Sequence, residues 1–227
     1  MTRKYVIIAG PQASGKSTLV SHLSSKYPDG IYFLGRTNNE PNLLVSSELI
    51  PMEESRQVIV NRRQLKGAIF MSYLDEIEVI HTDMIRMFKI LRDREDTGEL
   101  YVDECNVFTL GHAKAHGIDL LDGYFRQYMD LLSSLNTSVL FLNVSPDISW
   151  ERRQFSYRQR LWDVPLEERA KVLGQYEAYL HQLHPELVAI YDLLPFPKIK
   201  IDSSTSLDDV LKRGEEAFEK LLTGYVN

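Results

Sequence analysis

The segment Gly10–Thr18 (GPQASGKST) carries the clearest chemistry in this chain. Its spacing, G-x-x-x-x-G-K-S, is that of the Walker A loop, which holds the phosphates of a nucleotide. Gly10 and Gly15 lack a Cβ, so successive backbone N–H groups can approach phosphate oxygens, and the helix that follows adds its positive end. Lys16 supplies an ammonium for the β- and γ-phosphates, and Ser17 supplies a hydroxyl ligand for Mg²⁺. The motif predicts a nucleotide-binding loop made of Gly10, Pro11, Gln12, Ala13, Ser14, Gly15, Lys16, Ser17 and Thr18.

The acidic pair Asp103 and Glu104 is a second candidate for chemistry, because it follows a strand-like run at residues 99–102. Carboxylate oxygens suit Mg²⁺, and either acid could hold the ion directly or through water, as a Walker B acid does. We predict catalytic roles for both acids and a metal site formed by Ser17 and Asp103. The alternative is a pair of acids that only ends a strand in a turn.

Four arginines form the third candidate feature, within a segment at residues 151–165. The first two are separated from the last by about two helical turns, so their guanidinium groups could close over the phosphates as a lid. We predict that Arg153, Arg158 and Arg160 stabilise the transferred phosphoryl group and that Arg152 contacts the nucleotide. A solvated basic helix face is the alternative.

Alternating strands and helices must position these residues. Apolar, β-branched runs predict strands at residues 4–9, 31–34, 99–102, 138–144 and 198–201. Helical spacing predicts helices at residues 15–26, about 54–94 with a break near Lys66 and Gly67, 119–135, from Pro146 onward, 166–183, and after a cap at Ser206. This order predicts a three-layer α/β P-loop NTPase fold with a mainly parallel sheet of about five strands and an Arg-rich helical lid. Residues 1–227 are expected to form one domain.

Composition limits the classes of partner. The chain has 227 residues and a formal net charge of −6, which argues against broad attachment to nucleic acid or to an anionic membrane surface. No apolar run reaches the length of a membrane span, so we expect a cytoplasmic protein. Cys105 is the one cysteine, which excludes a disulfide or a thiolate zinc site within the chain.

The order of these features resembles the nucleoside and nucleoside monophosphate kinase superfamily, most closely its deoxyribonucleoside kinase and thymidylate kinase branch. The resemblance covers nearly the whole chain. Glu40 and Pro41 stand where the branch has an E-P pair after its second strand, and the resemblance implies that Glu40 acts as base for the acceptor hydroxyl. The arginine segment resembles the family lid, residues 179–184 (YLHQLH) match its Y-L-x-x-L-H helix, and residues 200–206 resemble its closing strand and adenine-side loop.

The acceptor side departs from the family pattern. Family members carry an acid-Arg pair after the third strand, whereas this chain has no arginine at residues 102–106, and Arg36 or Arg126 could replace it. Five residues could line an acceptor pocket, although helical spacing favours core packing for each: Tyr73, Asp75, His81, Tyr124 and Tyr128. His112 and His116 could face one metal, but no third ligand stands near them in the sequence.

The resemblance implies an ATP- and Mg²⁺-dependent kinase whose acceptor is a small molecule, in the first place a nucleoside or nucleoside monophosphate. Two alternatives remain from the sequence. One is a P-loop ATPase or switch coupled to a protein partner, although the guanine-reading N-K-x-D motif is absent. The other is a P-loop kinase for a different acceptor, such as a metabolite, an antibiotic or a modified base in DNA. A homodimer is compatible with the sequence.

Overall fold

A single parallel sheet forms the centre of the structure, a computed structural model that describes residues 4–27, 31–34, 73–92, 100–104, 106–161 and 165–224. Its strands are β1 (Lys4–Ala9), β2 (Ile31–Leu34), β3 (Leu100–Glu104), β4 (Thr137–Asn143) and β5 (Lys198–Asp202). They are ordered β2-β3-β1-β4-β5, and every neighbouring pair is parallel. The predicted α/β class and five-stranded parallel sheet are confirmed.

Helices cover both faces of this sheet. In chain order they are α1 (Lys16–Lys26), α2 (Tyr73–Arg92), α3 (Thr109–Ala115), α4 (Leu121–Ser134), α5 (Pro146–Arg160), α6 (Leu166–Leu193) and α7 (Leu207–Thr223). Helices α1 and α7 pack on one face, whereas α2, α3, α4 and α6 pack on the other. The helix α5, which carries the arginines, packs against α6.

Successive residues of the central strands point to opposite faces of the sheet and belong to two separate cores. On β1, Tyr5 and Ile7 lie in the core under α2, α3, α4 and α6, while Val6 and Ile8 lie in the core under α1 and α7. The neighbouring strand β3 alternates in the same way, with Tyr101 in the first core and Val102 in the second. Two consecutive acids on β3 therefore point to opposite faces of the sheet.

The predicted helix at residues 166–183 is too short. Helix α6 continues to Leu193, with Pro185 inside it. Proline removes a helical N–H and normally ends or kinks a helix. Here buried residues on one face both before and after the proline, Leu183, Leu187 and Ile190, pack into the core and hold the helix together. Tertiary packing outweighs the local preference.

Other differences lie near the end of β3 and in the long predicted helix. The prediction ended the third strand at Val102, but both acids belong to β3, and a 3-10 turn (Asn106–Phe108) with the short helix α3 follows. The predicted helix at 119–135 is present as α4. Of the helical region predicted at 54–94, the structure describes only α2, so the break near Lys66 and Gly67 lies outside the described residues.

Contacts between α1 and α7 fix the helix that begins with the P-loop lysine. Gly214 of α7 leaves room for Leu19, since a Cβ there would lie 2.7 Å from Leu19 Cδ2. Lys26 at the end of α1 bonds to Glu215 of α7. The predicted cap of α7 is confirmed, because the Asp209 N–H donates to Ser206 Oγ over 3.3 Å.

Among the helices in the described ranges, none combines the length and the apolarity that a membrane crossing requires.

Candidate active site

The loop between β1 and α1 has the backbone of an anion cradle. Gly10 has a φ of 145° and Gly15 a φ of 94°, and Ala13 between them has a φ of 58°. A Cβ on Gly10 would collide with the carbonyl oxygen of Leu142 on the neighbouring strand β4. Glycine is therefore required at position 10 for the loop to lie this close to the sheet.

Lys16 and Ser17 stand at the first turn of α1, as the motif predicts. The Lys16 ammonium donates to the carbonyl oxygens of Gly10, at 2.8 Å, and Pro11, at 2.7 Å. Both acceptors belong to the loop itself, so the ammonium lies over the cradle, and its flexible stem gives it reach to a bound phosphate. Ser17 is exposed as a residue, and its hydroxyl donates to Glu104 Oε2 over 3.3 Å in a partly buried hydrogen bond.

The structure brings Ser17 together with Glu104 and not with Asp103. Glu104 is only 1% exposed, and its Oε1 atom has no hydrogen-bond partner among the described residues. A hydroxyl and a carboxylate with an unsatisfied oxygen are the hard donors that Mg²⁺ takes, so these residues fit the ion. Asp103 lies on the other face of β3, against Tyr5 and Asn106. The predicted metal pair of Ser17 and Asp103 stays a prediction, and the structure places Glu104, not Asp103, beside Ser17.

Arg152 of α5 binds the backbone at the P-loop edge of the sheet. Arg152 donates to three backbone carbonyls: Ala13 of the P-loop at 3.2 Å, Ser203 at 2.9 Å and Thr205 at 3.3 Å. Its guanidinium thus joins the P-loop to the loop that follows β5. The Arg153 side chain is half-buried and the Arg158 side chain is exposed. Arg160 is the last residue of α5, and its side chain is not among those that the structure describes.

Two further side chains hold the tip of the P-loop. The Ser149 hydroxyl of α5 donates to the backbone carbonyl of Gln12, and the Tyr176 hydroxyl of α6 donates to the Gln12 side chain. Helices α5 and α6 therefore contact the loop directly. No pattern in the sequence predicts these contacts, because a serine and a tyrosine on amphipathic helices are indistinguishable from ordinary packing residues.

The loop after β5 borders the same edge of the sheet. Ser203 binds the Asn143 carbonyl twice, through its N–H at 2.7 Å and its hydroxyl at 3.0 Å. A hydrogen bond from the Ser204 side chain, and to a smaller extent one from the Ser204 backbone N–H, hold the pKa of the Asp202 carboxyl below its usual range. These bonds fix the loop for which the family resemblance implies contact with adenine.

The structure describes only some of the residues predicted for the acceptor side. Glu40, Pro41 and Arg36 lie outside the described residues, as do the side chains of Tyr73 and Asp75. Tyr128 is fully buried in the core. His81 and Tyr124 contact each other, with 3.2 Å between His81 Nε2 and the Tyr124 hydroxyl. Arg126 is exposed on α4.

His112 and His116 bind separate partners. His112 Nδ1 lies 2.7 Å from the Tyr179 hydroxyl, and His116 Nδ1 lies 2.7 Å from Glu76 Oε1. The part of the chain that the structure describes holds no group of three or more His, Cys, Asp or Glu residues arranged for a metal. The two histidines serve the packing of α2, α3 and α6.

His184 on α6 makes the stability of this edge depend on pH. Burial lowers the pKa of His184 from its ordinary value of 6.5, and the charges of Lys200 and His181 lower it further. The unfolded chain therefore binds a proton more readily, and the stability from neutral His184 is lost as pH falls below 6.5. The free energy of unfolding of the wild type and of His184→Gln would be measured by chemical denaturation at pH 5.5 and at pH 7.5. We expect the advantage of the wild type over the variant to be smaller at pH 5.5 than at pH 7.5. A constant difference would contradict this assignment.

No protein-family model and no curated protein sequence matches the chain. Two solved structures of deoxyadenosine kinase from M. mycoides are similar to it. The structure with bound dATP is 14% identical with a TM-score of 0.50, and covers 96% of this chain and 100% of its own. The structure with products dCMP and a flexible dCDP is 16% identical with a TM-score of 0.56, and covers 97% and 99%. The chain therefore shares the overall fold of these two structures.

Proposed function

We propose that this protein is a kinase that transfers the γ-phosphoryl group of ATP, with Mg²⁺, to a small acceptor, in the first place a nucleoside or nucleoside monophosphate. The observation that carries the proposal is the juxtaposition of the glycine-hinged loop, the Lys16 ammonium and the Ser17–Glu104 pair at one edge of the sheet. The deoxyadenosine kinase structures support the same choice through their fold.

The donor side follows from the residues that converge there. The loop N–H groups and the α1 terminus bind the phosphates, and Lys16 places positive charge where negative charge develops during transfer. Ser17 and Glu104 would hold Mg²⁺, and the ion would supply positive charge that offsets the negative charge of the phosphates. Arg152 orients the P-loop against the loop after β5, and Arg153, Arg158 and Arg160 are proposed to approach the phosphates as part of a lid. Lid closure would exclude water from the γ-phosphate.

Replacing Glu104 by glutamine is expected to weaken the metal side of the site selectively. The amide keeps the size of the side chain but removes the charge that attracts the cation. We expect the Mg²⁺ concentration for half-maximal activity to rise by about a hundredfold or more, since loss of an outer partner of a metal ligand already costs about tenfold to a hundredfold and here the ligand itself loses its charge. Steady-state rates over a Mg²⁺ series measure it. An unchanged Mg²⁺ requirement would remove Glu104 from the site.

Acceptor-dependent ADP release tests the proposed function. The purified protein would be incubated with ATP, Mg²⁺ and a panel of nucleosides and monophosphates, and ADP release would be compared with release in the absence of acceptor. The kinase assignment predicts that at least one acceptor raises turnover and is recovered as a new phosphomonoester. If no acceptor raises turnover while a protein partner does, the protein is an ATPase or switch.

A wider panel separates the remaining alternative. Metabolite hydroxyls, antibiotics and DNA with modified bases would be tested with the same readout. Phosphorylation of one of these, with none of any nucleoside or monophosphate, would retain the kinase reaction and replace the acceptor.

A further inference from the structure

A buried hydrogen-bond network lies at the end of β3. The Tyr5 hydroxyl donates to Asp103 Oδ2 at 2.5 Å, and the Asn106 side-chain amide donates to the same oxygen at 2.8 Å and to the Tyr5 hydroxyl oxygen at 3.1 Å. The Asn106 side-chain oxygen accepts the Val107 N–H at 2.8 Å. All three network residues, Tyr5, Asp103 and Asn106, are 0% exposed.

This network fixes the backbone immediately around Glu104. Asp103 is the residue before it, and Asn106 comes two residues after it with a φ of 42°, a left-handed conformation that asparagine tolerates better than most residues. Tyr5 joins both residues to β1, and the P-loop connects β1 to α1. The strand end and the loop that must face each other are therefore held through one cluster of buried polar groups.

The pleat of β3 separates the Asp103 side chain from the Glu104 side chain. Asp103 and Glu104 point to opposite faces, so a carboxylate held beside Tyr5 cannot also lie beside Ser17. Because the network sets the orientation of the strand end, it sets the direction of the Glu104 side chain, whose Oε2 lies 3.3 Å from Ser17 Oγ.

We infer that Tyr5, Asp103 and Asn106 are positioning residues that hold the Glu104 carboxylate at the magnesium position, and that Asp103 is not itself a metal ligand. The inference rests on the proposed function. It assigns different tasks to two adjacent acids: Glu104 binds the ion, and Asp103 acts through Glu104. Loss of the Tyr5 hydroxyl should therefore disturb metal binding although that hydroxyl lies on the far face of the sheet.

The test is the Mg²⁺ dependence of nucleotide binding, measured by calorimetric titration of the full chain with a non-hydrolysable ATP analogue. For Tyr5→Phe we expect a rise of about tenfold in the Mg²⁺ concentration at which half of the metal's effect on nucleotide affinity is reached. Loss of a hydrogen bond to a metal ligand has this scale. The nucleotide affinity in the absence of metal should be unchanged. Glu104→Gln should raise it further. The double variant should equal Glu104→Gln alone, because Tyr5 acts through that carboxylate.

Matched variants control for the loss of a buried hydroxyl and for folding. Tyr191→Phe removes a hydroxyl from the same core away from β3, and should leave the Mg²⁺ dependence unchanged. Asn106→Gly keeps the left-handed backbone while deleting the amide, and should reproduce the effect of Tyr5→Phe. Thermal unfolding of each variant identifies those that are folded at the assay temperature.

Two results would overturn the inference. One is an unchanged Mg²⁺ dependence in folded Tyr5→Phe and Asn106→Gly. The other is a double variant whose rise in the required Mg²⁺ concentration equals the product of the rises in Tyr5→Phe and Glu104→Gln. That result would show that the hydroxyl acts independently of the carboxylate. Wild-type protein that binds no nucleotide with Mg²⁺ would overturn the proposed function as well, whereas normal wild-type binding with unaffected variants overturns the inference alone.

Discussion

Replacing Lys16 by alanine is expected to lower phosphoryl transfer by about a hundredfold to a thousandfold in kcat, the effect of removing one preorganised group that stabilises transition-state charge. The ammonium now binds two carbonyls of its own loop, Gly10 and Pro11, and both contacts are replaceable by water. The fold should therefore survive. Steady-state kinetics of the purified variant, with circular dichroism to confirm folding, measure the effect.

The matched control is Lys26→Ala at the other end of α1. Lys26 is exposed and bonds to Glu215 and Glu219 on the outer surface of α7. Its loss removes one lysine from the same helix and should leave kcat unchanged. Retained activity in a folded Lys16→Ala variant would refute the role of Lys16. An equal loss in both variants would indicate that damage to α1, and not the missing ammonium, is responsible.

Replacing Glu40 by glutamine is expected to lower kcat by about a hundredfold or more while ATP binding stays near its original strength, because a general base contributes on this scale. The glutamine keeps the shape of the side chain but accepts no proton from the acceptor hydroxyl. Rate measurements at saturating ATP and acceptor, together with calorimetric ATP titration, separate the two quantities.

Glu216→Gln is the control for the Glu40 variant, since it removes a carboxylate from an exposed position on α7 and should change neither quantity. If the ATP affinity of Glu40→Gln collapses instead of its kcat, Glu40 belongs to the donor side. The acceptor base would then have to come from another acid.

The fold followed from strong local signals. The P-loop, the apolar β1 and the buried β4 are short patterns whose meaning depends little on the rest of the chain, and alternation of strands with helices restricts the sheet to parallel order. Helix α6 shows the limit of local signals. Pro185 predicts an end, and only the core contacts of Leu187 and Ile190 beyond it make the helix continue.

The site could be predicted only where one motif contains all its parts. Lys16 and Ser17 lie in such a motif, whereas the choice between Asp103 and Glu104 depends on which face of β3 is turned toward α1. Alternation along a strand places the two acids on opposite faces of the sheet, but it does not tell which of them faces α1. The bonds of Arg152 to the carbonyls of Ser203 and Thr205 bring together residues about fifty positions apart, which no sequence spacing reveals.

A crystal structure with a non-hydrolysable ATP analogue and Mg²⁺ tests the central claim most directly. The account predicts the triphosphate within the loop from Gly10 to Thr18, with the Lys16 ammonium on the β- and γ-phosphates and the metal between Ser17 and Glu104. A nucleotide bound elsewhere, or a loop that stays empty at saturating nucleotide and metal, would contradict it.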